Sequence, residues 1–296
     1  MMKILQILAI FLVMVFTSQC SQEEVQNTPN DSSLNDEMTN ANKIKDTLIE
    51  AIAGDHRTEK YKDRDQYRNP LETLSFFEIE KDMTVLEIYP YGGWYTEIIA
   101  PALKESGQYY GAMPDPNSSE RRKTAFDRFK NKLSENESLY GNAQAVPILD
   151  NTKISLDDNS VDMVLTFRNL HNMMAYGTAE KMLEDWLRVT KSGGSMGIVE
   201  HRGDSSIEQD PKAVSGYVNE DYTIKLAEAA GWEFISSSDI NNNPKDDKNY
   251  EDRVWRLPPT LTYFAREGRP KVEGDDLKKN LEIGESDRYT LLFKKP

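Results

Sequence analysis

Thr84-Val85-Leu86-Glu87-Ile88-Tyr89-Pro90-Tyr91-Gly92-Gly93-Trp94-Tyr95-Thr96 is the stretch from which the fold can be read. A short apolar run of strand length meets Pro and Gly, and helical spacing follows from Trp94 to Lys104. A strand apolar on both faces must be covered on both faces, as in a parallel sheet flanked by helices. The alternation then repeats. Strands are expected at 108–113, 143–149, 161–167, 195–201, 232–237 and 288–294, with helices at 119–133, 178–190 and 220–230 between them. Ser192-Gly193-Gly194 reads as a turn, and Gly231 suits a left-handed helix C-cap. The expectation is an α/β fold with a mostly parallel seven-stranded sheet and helices on both faces.

Upstream of this core, Lys43–Ala53 carries Ile44, Leu48, Ile49 and Ile52 at helical spacing, and Asn69-Pro70 opens a second helix. Between them, residues 57–68 (RTEKYKDRDQYR) are dense in charge. A solvated helix face is the favoured reading, and a lid over a cleft the alternative. Residues 241–287 form a long polar insertion before the last strand. Its Trp255-Arg256-Leu257-Pro258-Pro259 segment is expected to pack on the domain, because structureless loops of that length are uncommon.

The chain has 296 residues, 36 basic and 50 acidic, for a formal net charge of −14. That balance repels phosphate backbones and argues against nucleic acid as a partner. Cys20 is the single cysteine, so neither an internal disulfide nor a cysteine zinc site can form. Lys3 precedes an apolar run, Ile4–Phe16, which is too short to span a bilayer but fits a signal-peptide core. Thr17-Ser18-Gln19-Cys20 then resembles a bacterial lipobox, although Gln19 departs from the usual small residue. Residues 1–19 are therefore expected to be a signal peptide, Cys20 the lipidated residue, 20–42 a polar tether, and 43–296 the folded domain. The expected location is the bacterial cell envelope, reached by export, with membrane contact through a lipid anchor only.

Open α/β sheets bind ligands beyond the carboxyl ends of their strands. Gly92 and Gly93 follow the first strand, where a backbone can approach a ligand closely; a plain tight turn explains them equally well. Asp115 follows the second strand. It can accept ribose hydroxyls, or it can cap a helix. Asp150 follows the third strand and can accept an exocyclic amine.

Taken in order, Asp82 through the helix-to-strand turn Arg188-Val189-Thr190-Lys191-Ser192-Gly193-Gly194 resembles the class I S-adenosylmethionine (SAM) methyltransferases, a Rossmann-like α/β superfamily. The segments EIYPYGGWYTEIIAP, LTFRNLHN, EHR, WRLPPTL and DRYTLLFKKP resemble a group of bacterial predicted methyltransferases across most of residues 57–296. The resemblance implies SAM as cofactor. Glu87, Gly92 and Gly93 would order its amino-acid end, Asp115 its ribose, and Asp150 with Asn151 its adenine. Tyr89 and Tyr91 stand where two glycines of the motif are usual, so that end of the pocket is expected to be reshaped.

His171 and His201 follow adjacent strands of that family's sheet, and a histidine can take the proton of a nucleophile near neutral pH. They are the candidate catalytic residues. Arg168 and Asn169, with Arg202, are candidates for orienting a polar or anionic small-molecule substrate, and Tyr217 and Tyr222 for lining it. No metal is expected, because strand alternation should turn Glu200 and His201 to opposite faces. The competing function is a ligand-binding envelope protein of the same fold that no longer methylates.

Overall fold

The computed structural model describes residues 44–296; the segments expected to be a signal peptide, the lipidated Cys20 and a tether lie outside the described residues. Helix α1 covers 44–53. Three short helices follow, α2 (Glu59–Lys62), α3 (Asp65–Arg68) and α4 (Pro70–Phe76). Pro70 takes the first helical position, where its missing N–H costs nothing. Then come β1 (Thr84–Ile88), α5 (Thr96–Leu103), β2 (Gln108–Pro114), α6 (Glu120–Ser134), α7 (Glu137–Tyr140), β3 (Gln144–Leu149), β4 (Lys153–Ile154) and β5 (Val161–Phe167). The chain continues through α8 (Leu170–Ala175), α9 (Ala179–Val189), β6 (Thr190–His201), α10 (Glu220–Ala229), β7 (Glu233–Ser238), α11 (Gly274–Ile283) and β8 (Arg288–Lys294). Among the described residues no helix is long and apolar enough to cross a membrane.

One sheet holds all eight strands in the order β4-β3-β2-β1-β5-β6-β8-β7. β3, β2, β1, β5 and β6 are parallel neighbours, while β8 runs antiparallel between β6 and β7. The order reverses between β1 and β5, which opens a crevice beyond their carboxyl ends. The expected Rossmann-like α/β architecture is present, with eight strands in place of seven. The extra strand is β4, a two-residue antiparallel edge.

Strand alternation sorts the core into two layers. Leu86 and Ile88 join Val164, Trp186 and Leu291 on one face of the sheet. Val85 joins Phe77, Ile98, Tyr109 and Leu165 on the other. Burying each large apolar side chain stabilises the fold by about 1.5–3 kcal/mol. α9 shows how this is encoded: Met182, Leu183, Trp186 and Val189 share one buried stripe. The turn expected at Ser192–Gly194 is a bulge within β6. Val161 pairs with Thr190 and Met163 with Ser195, so residues 191–194 loop out, with Gly193 at φ 76°.

Besides β4 and the one-turn helix α7, two helices escaped the sequence reading. α8 follows β5 directly, and α11 lies inside the 241–287 insertion. That insertion folds back on the strand ends, and its last residues enter the site described next.

Candidate functional site

The loop after β1 has an unusual backbone. Tyr89 and Tyr91 take φ 53° and 45°, left-handed values that side chains rarely adopt, and Gly93 takes φ 81°. Non-glycine residues held there cost of order 1–3 kcal/mol each, and such strain concentrates at functional sites. The two tyrosine rings stack 5.7 Å apart. Burial pushes the Tyr89 hydroxyl up to about 12. A Cβ on Gly92 would overlap the Tyr61 hydroxyl, which donates to the Gly92 carbonyl at 3.1 Å. A side chain is therefore excluded at Gly92 by close approach.

Tyr61 belongs to the charged 57–68 segment, and that segment lies on the glycine loop. The favoured reading of it as a solvated helix face is wrong. Arg57 and Arg68 are 3% and 4% exposed and sit over the Trp94 ring at 5.1 and 4.6 Å. Trp94 Nε1 donates to the Tyr61 carbonyl at 2.9 Å. Buried Glu97 accepts from the Thr58 backbone and hydroxyl and from Lys132 Nζ, at 2.9, 2.8 and 2.6 Å. Arg57 pairs with Asp65, and Arg64 and Arg68 reach Glu285. Arg57, Arg64, Asp65 and Arg68 are spent inward, on docking, while Glu59, Lys60 and Asp63 stay exposed.

Glu87, at the end of β1, faces the α5 side. Its Oε2 accepts from the Tyr109 hydroxyl at 2.5 Å and from Thr96 Oγ1 at 3.1 Å. Burial lifts its carboxyl to about 7, against the pull of both hydrogen bonds and of Arg68.

The loops after β2 and β3 open at the same sheet edge, because β1, β2 and β3 run parallel in register. Asp115 Oδ1 accepts the Asn117 backbone N–H at 2.9 Å and closes a turn; the helix-capping role weighed for it belongs instead to Ser119, whose hydroxyl accepts the Arg122 backbone N–H at the start of α6. Asp150 is exposed at φ 50°, with no hydrogen-bond partner among the described residues. Asn151, at φ 63°, accepts from Arg122 Nη1 at 2.7 Å, and Arg122 also donates to Ser118 at 3.1 Å. The Arg122 charge also reaches Tyr89 and Tyr91 and pulls both hydroxyls downward. The Arg122 guanidinium thus bridges the loops after β2 and β3.

Across the switch point, Arg168 turns the chain at φ 60° directly after β5. Asn169 Nδ2 donates to the Ile88 carbonyl at 3.1 Å and so ties the end of β5 to the end of β1. His171 and His201 come together with ring centroids 5.3 Å apart. Glu200, fully buried, holds both. Its Oε1 lies 3.0 Å from His171 Nδ1 and accepts the His201 backbone N–H at 2.8 Å, while Oε2 accepts the His171 backbone N–H at 3.2 Å. His201 Nδ1 meets Ser286 Oγ at 2.5 Å. A carboxylate that accepts two backbone N–H groups also matches the His171 tautomer with its proton on Nδ1, which leaves a lone pair on Nε2. Burial keeps His201 well below the ordinary histidine range, reinforced by His171 and by Arg168, Arg288 and Arg68. His201 is therefore neutral near pH 7.

Two expectations about this side need correction. Alternation does not separate Glu200 from His201, since the Glu200 carboxylate reaches forward to the His201 backbone N–H. Donor atoms of His171, Glu200 and His201 lie within 4.8 Å of one another, a grouping that a divalent cation could use. Arg202 does not face the cleft; it pairs with Glu220, Asp239 and Asp287. Tyr217 stands edge-on to His201 at 6.1 Å, whereas Tyr222 packs against the core.

The insertion closes the site. Trp255 stands edge-on to His171 at 5.8 Å and stacks on Phe264, while Glu285 and Ser286 precede β8. Glu285 and Ser286 carry no signal in the sequence, and Trp255 carries only the expectation that it packs on the domain. Glu200 enters there only as a metal ligand that alternation should exclude, and Arg64 and Arg68 only within the alternative reading of the charged segment as a lid. Beneath the docked segment lies a cavity of about 200 Å³, lined by Arg64, Arg68, Glu87, Tyr91, Arg168 and Asn169 among others. Binding sites for whole small molecules usually span 300–1,000 Å³, so this space suits one end of a ligand.

No protein-family model matches the chain, and no curated protein matches it. Solved structures do. A SAM-dependent methyltransferase from Aquifex aeolicus is 22% identical, with 60% of this chain and 87% of that one covered and a TM-score of 0.47. The cyclase SpnF is 13% identical, with 88% and 96% covered and a TM-score of 0.53. A SAM-dependent methyltransferase from Methanosarcina mazei is 12% identical, with 75% and 96% covered and a TM-score of 0.44. At these identities the likeness concerns fold, and the fold is the Rossmann-like α/β architecture described above.

Proposed function

We propose that this chain is a SAM-dependent methyltransferase acting on a small acceptor at the bacterial cell envelope. One observation carries the reading. The loops after β1, β2 and β3, which hold Gly92, Gly93, Asp115, Asp150 and Asn151, meet at the sheet edge where a carboxylate-oriented histidine stands across the switch point. Similar solved structures named as SAM-dependent methyltransferases agree with it. Bound SAM supplies an electrophilic methyl group on a sulfonium. Asp150 is free to accept from an adenine, and the Asp115 carboxylate retains lone pairs for a ribose. Glu87 acts one step back, bracing the glycine loop through Thr96 and Tyr109.

With SAM bound, its sulfonium would supply the methyl group and leave as the neutral thioether, S-adenosylhomocysteine; the role of His171 would be to take, at Nε2, the proton that the acceptor's hydroxyl or amine gives up. Glu200 then faces an imidazolium, which its charge stabilises, as in other carboxylate–histidine pairs. The export and anchoring of this activity rest on residues 1–20 alone.

A second reading is favoured by Tyr89 and Tyr91. Their stacked rings stand where glycines would admit the cofactor, which suits a protein that binds a ligand without transferring methyl groups. A cyclase among the similar structures is consistent with a fold that serves other chemistry. Native mass spectrometry of the purified protein mixed with SAM decides between them. The methyltransferase reading expects a one-to-one complex that Asp150→Ala weakens, and wild-type protein that stays ligand-free in excess SAM contradicts it.

A further inference from the structure

Topology brings two imidazoles to one carboxylate. β5 and β6 are parallel neighbours, so the first turn of α8, directly after β5, opens beside the last residues of β6. His171, Glu200 and His201 are all buried there, and one donor atom of each lies within 4.8 Å of the others. Zinc bonds to imidazole nitrogen and carboxylate oxygen run about 2.0–2.2 Å, so two donors on one ion stand at most about 4.4 Å apart. The group needs only a small contraction to close on an ion.

The donors are held as ligands are held. His201 Nδ1 meets Ser286 Oγ at 2.5 Å, which fixes the ring and leaves Nε2 without a hydrogen-bond partner among the described residues. A ligating histidine commonly engages its second ring nitrogen in this way. His171 Nδ1 faces Glu200 Oε1 at 3.0 Å, a separation that an ion can bridge in place of the proton held there. The rings of Trp255 and Tyr217 wall the group, edge-on to His171 and His201. Two imidazoles with one carboxylate suit zinc and its neighbours, whereas magnesium and calcium take oxygen ligands.

Charge has to be weighed as well. Arg168, Arg288 and Arg68 direct positive charge toward His201, and Glu285 already pairs with the last two. The Glu200 carboxylate stands in direct contact with the ion's position, and attraction at bonding distance exceeds repulsion from groups farther out.

We propose that His171, Glu200 and His201 bind a divalent ion of the zinc class, and that the bound ion silences His171 as a base. The ion replaces the proton between Nδ1 and Oε1, and that proton moves to Nε2. The ring then has no lone pair left for an acceptor's proton. The silencing rests on the methyltransferase reading; the metal site itself does not.

The test uses the purified full-length protein, stripped with a chelator and dialysed. Zinc chloride is titrated by calorimetry into wild type and His201→Phe, which keeps a ring and removes both nitrogens. Wild type is expected to bind one ion per chain, and the variant to bind at least tenfold more weakly. Thermal unfolding checks that the variant is folded, and Glu200→Gln takes its place if it is not. Cobalt(II) gives an independent reading, because its visible absorption should strengthen severalfold when imidazole and carboxylate replace its octahedral water shell. No zinc binding by wild type, an unchanged cobalt spectrum, or equal binding by a folded variant overturns the site.

Nitrogen NMR of histidine-labelled wild type follows the ring of His171. Metal-free protein is expected to show a proton on Nδ1 and a free Nε2, and zinc-loaded protein to show no free nitrogen. A free Nε2 that persists in zinc-loaded protein overturns the silencing and leaves the site in place. Zinc binding by protein that binds no SAM also leaves the site standing and rejects the methyltransferase reading instead.

Discussion

Glu200 and His171 form a buried pair, Oε1 to Nδ1 at 3.0 Å, and the same carboxylate takes the backbone N–H of both histidines. One acid thus sets the ring orientation, the tautomer and the local backbone at the ends of β5 and β6. The pairing joins residues 29 positions apart through neighbouring parallel strands.

Replacing Glu200 with Gln keeps the shape and removes the charge. Turnover is expected to fall about 100-fold, the lower end for loss of an oriented general base, with SAM affinity within threefold of wild type. Steady-state kinetics beside binding measurements check this. Equal losses in both would assign Glu200 to the fold alone.

Glu87→Gln tests the buried acid of the glycine loop. The folded carboxyl titrates at about 7 against an ordinary 4.5, so the native state binds the proton more tightly than the unfolded chain. Its contribution is therefore most favourable at low pH and declines as pH rises from about 4.5 to about 7. Glutamine accepts from Tyr109 and Thr96 without ionising. The variant should gain on the order of 2 kcal/mol over wild type at pH 8, and little or nothing at pH 4.5. Urea unfolding at the two pH values measures it, and a gain independent of pH would contradict the assignment.

Gly92→Ala places a methyl group against the Tyr61 hydroxyl. Destabilisation of about 1–3 kcal/mol is expected from overpacking. Tyr61→Phe removes the obstructing oxygen, so the double variant should recover most of the loss, and a double-mutant cycle by thermal unfolding reads the coupling.

Glu97→Gln loosens the docking of residues 57–68, because one buried carboxylate serves Thr58 and Lys132 together. Hydrogen exchange across 57–68 and the glycine loop should accelerate at least tenfold while the central strands stay protected. Acceleration throughout the sheet would mean that the segment and the core unfold as one unit.

The strands were legible as apolar runs alternating with helical spacing, and the resemblance to the methyltransferase sheet implied their order, which sets the loops after β1, β2 and β3 at one edge. What escaped reading has physical reasons. β4 is two residues long and carries no period. The charges of 57–68 looked solvated because Trp94, the ring that Arg57 and Arg68 enclose, lies about 30 residues downstream. Glu285 and Ser286 meet Arg68 and His201 across 217 and 85 positions, and no local pattern records such contacts. The alternation rule failed for Glu200 because its carboxylate reaches along the strand to the His201 backbone N–H, although both residues keep their register with β8.

SAM binding by the purified protein is the most direct measurement of the central claim. Calorimetric titration is expected to give a saturable one-to-one isotherm, displaced by S-adenosylhomocysteine and lost in Asp150→Ala. Folded protein that shows neither heat nor a thermal shift in millimolar SAM would contradict it.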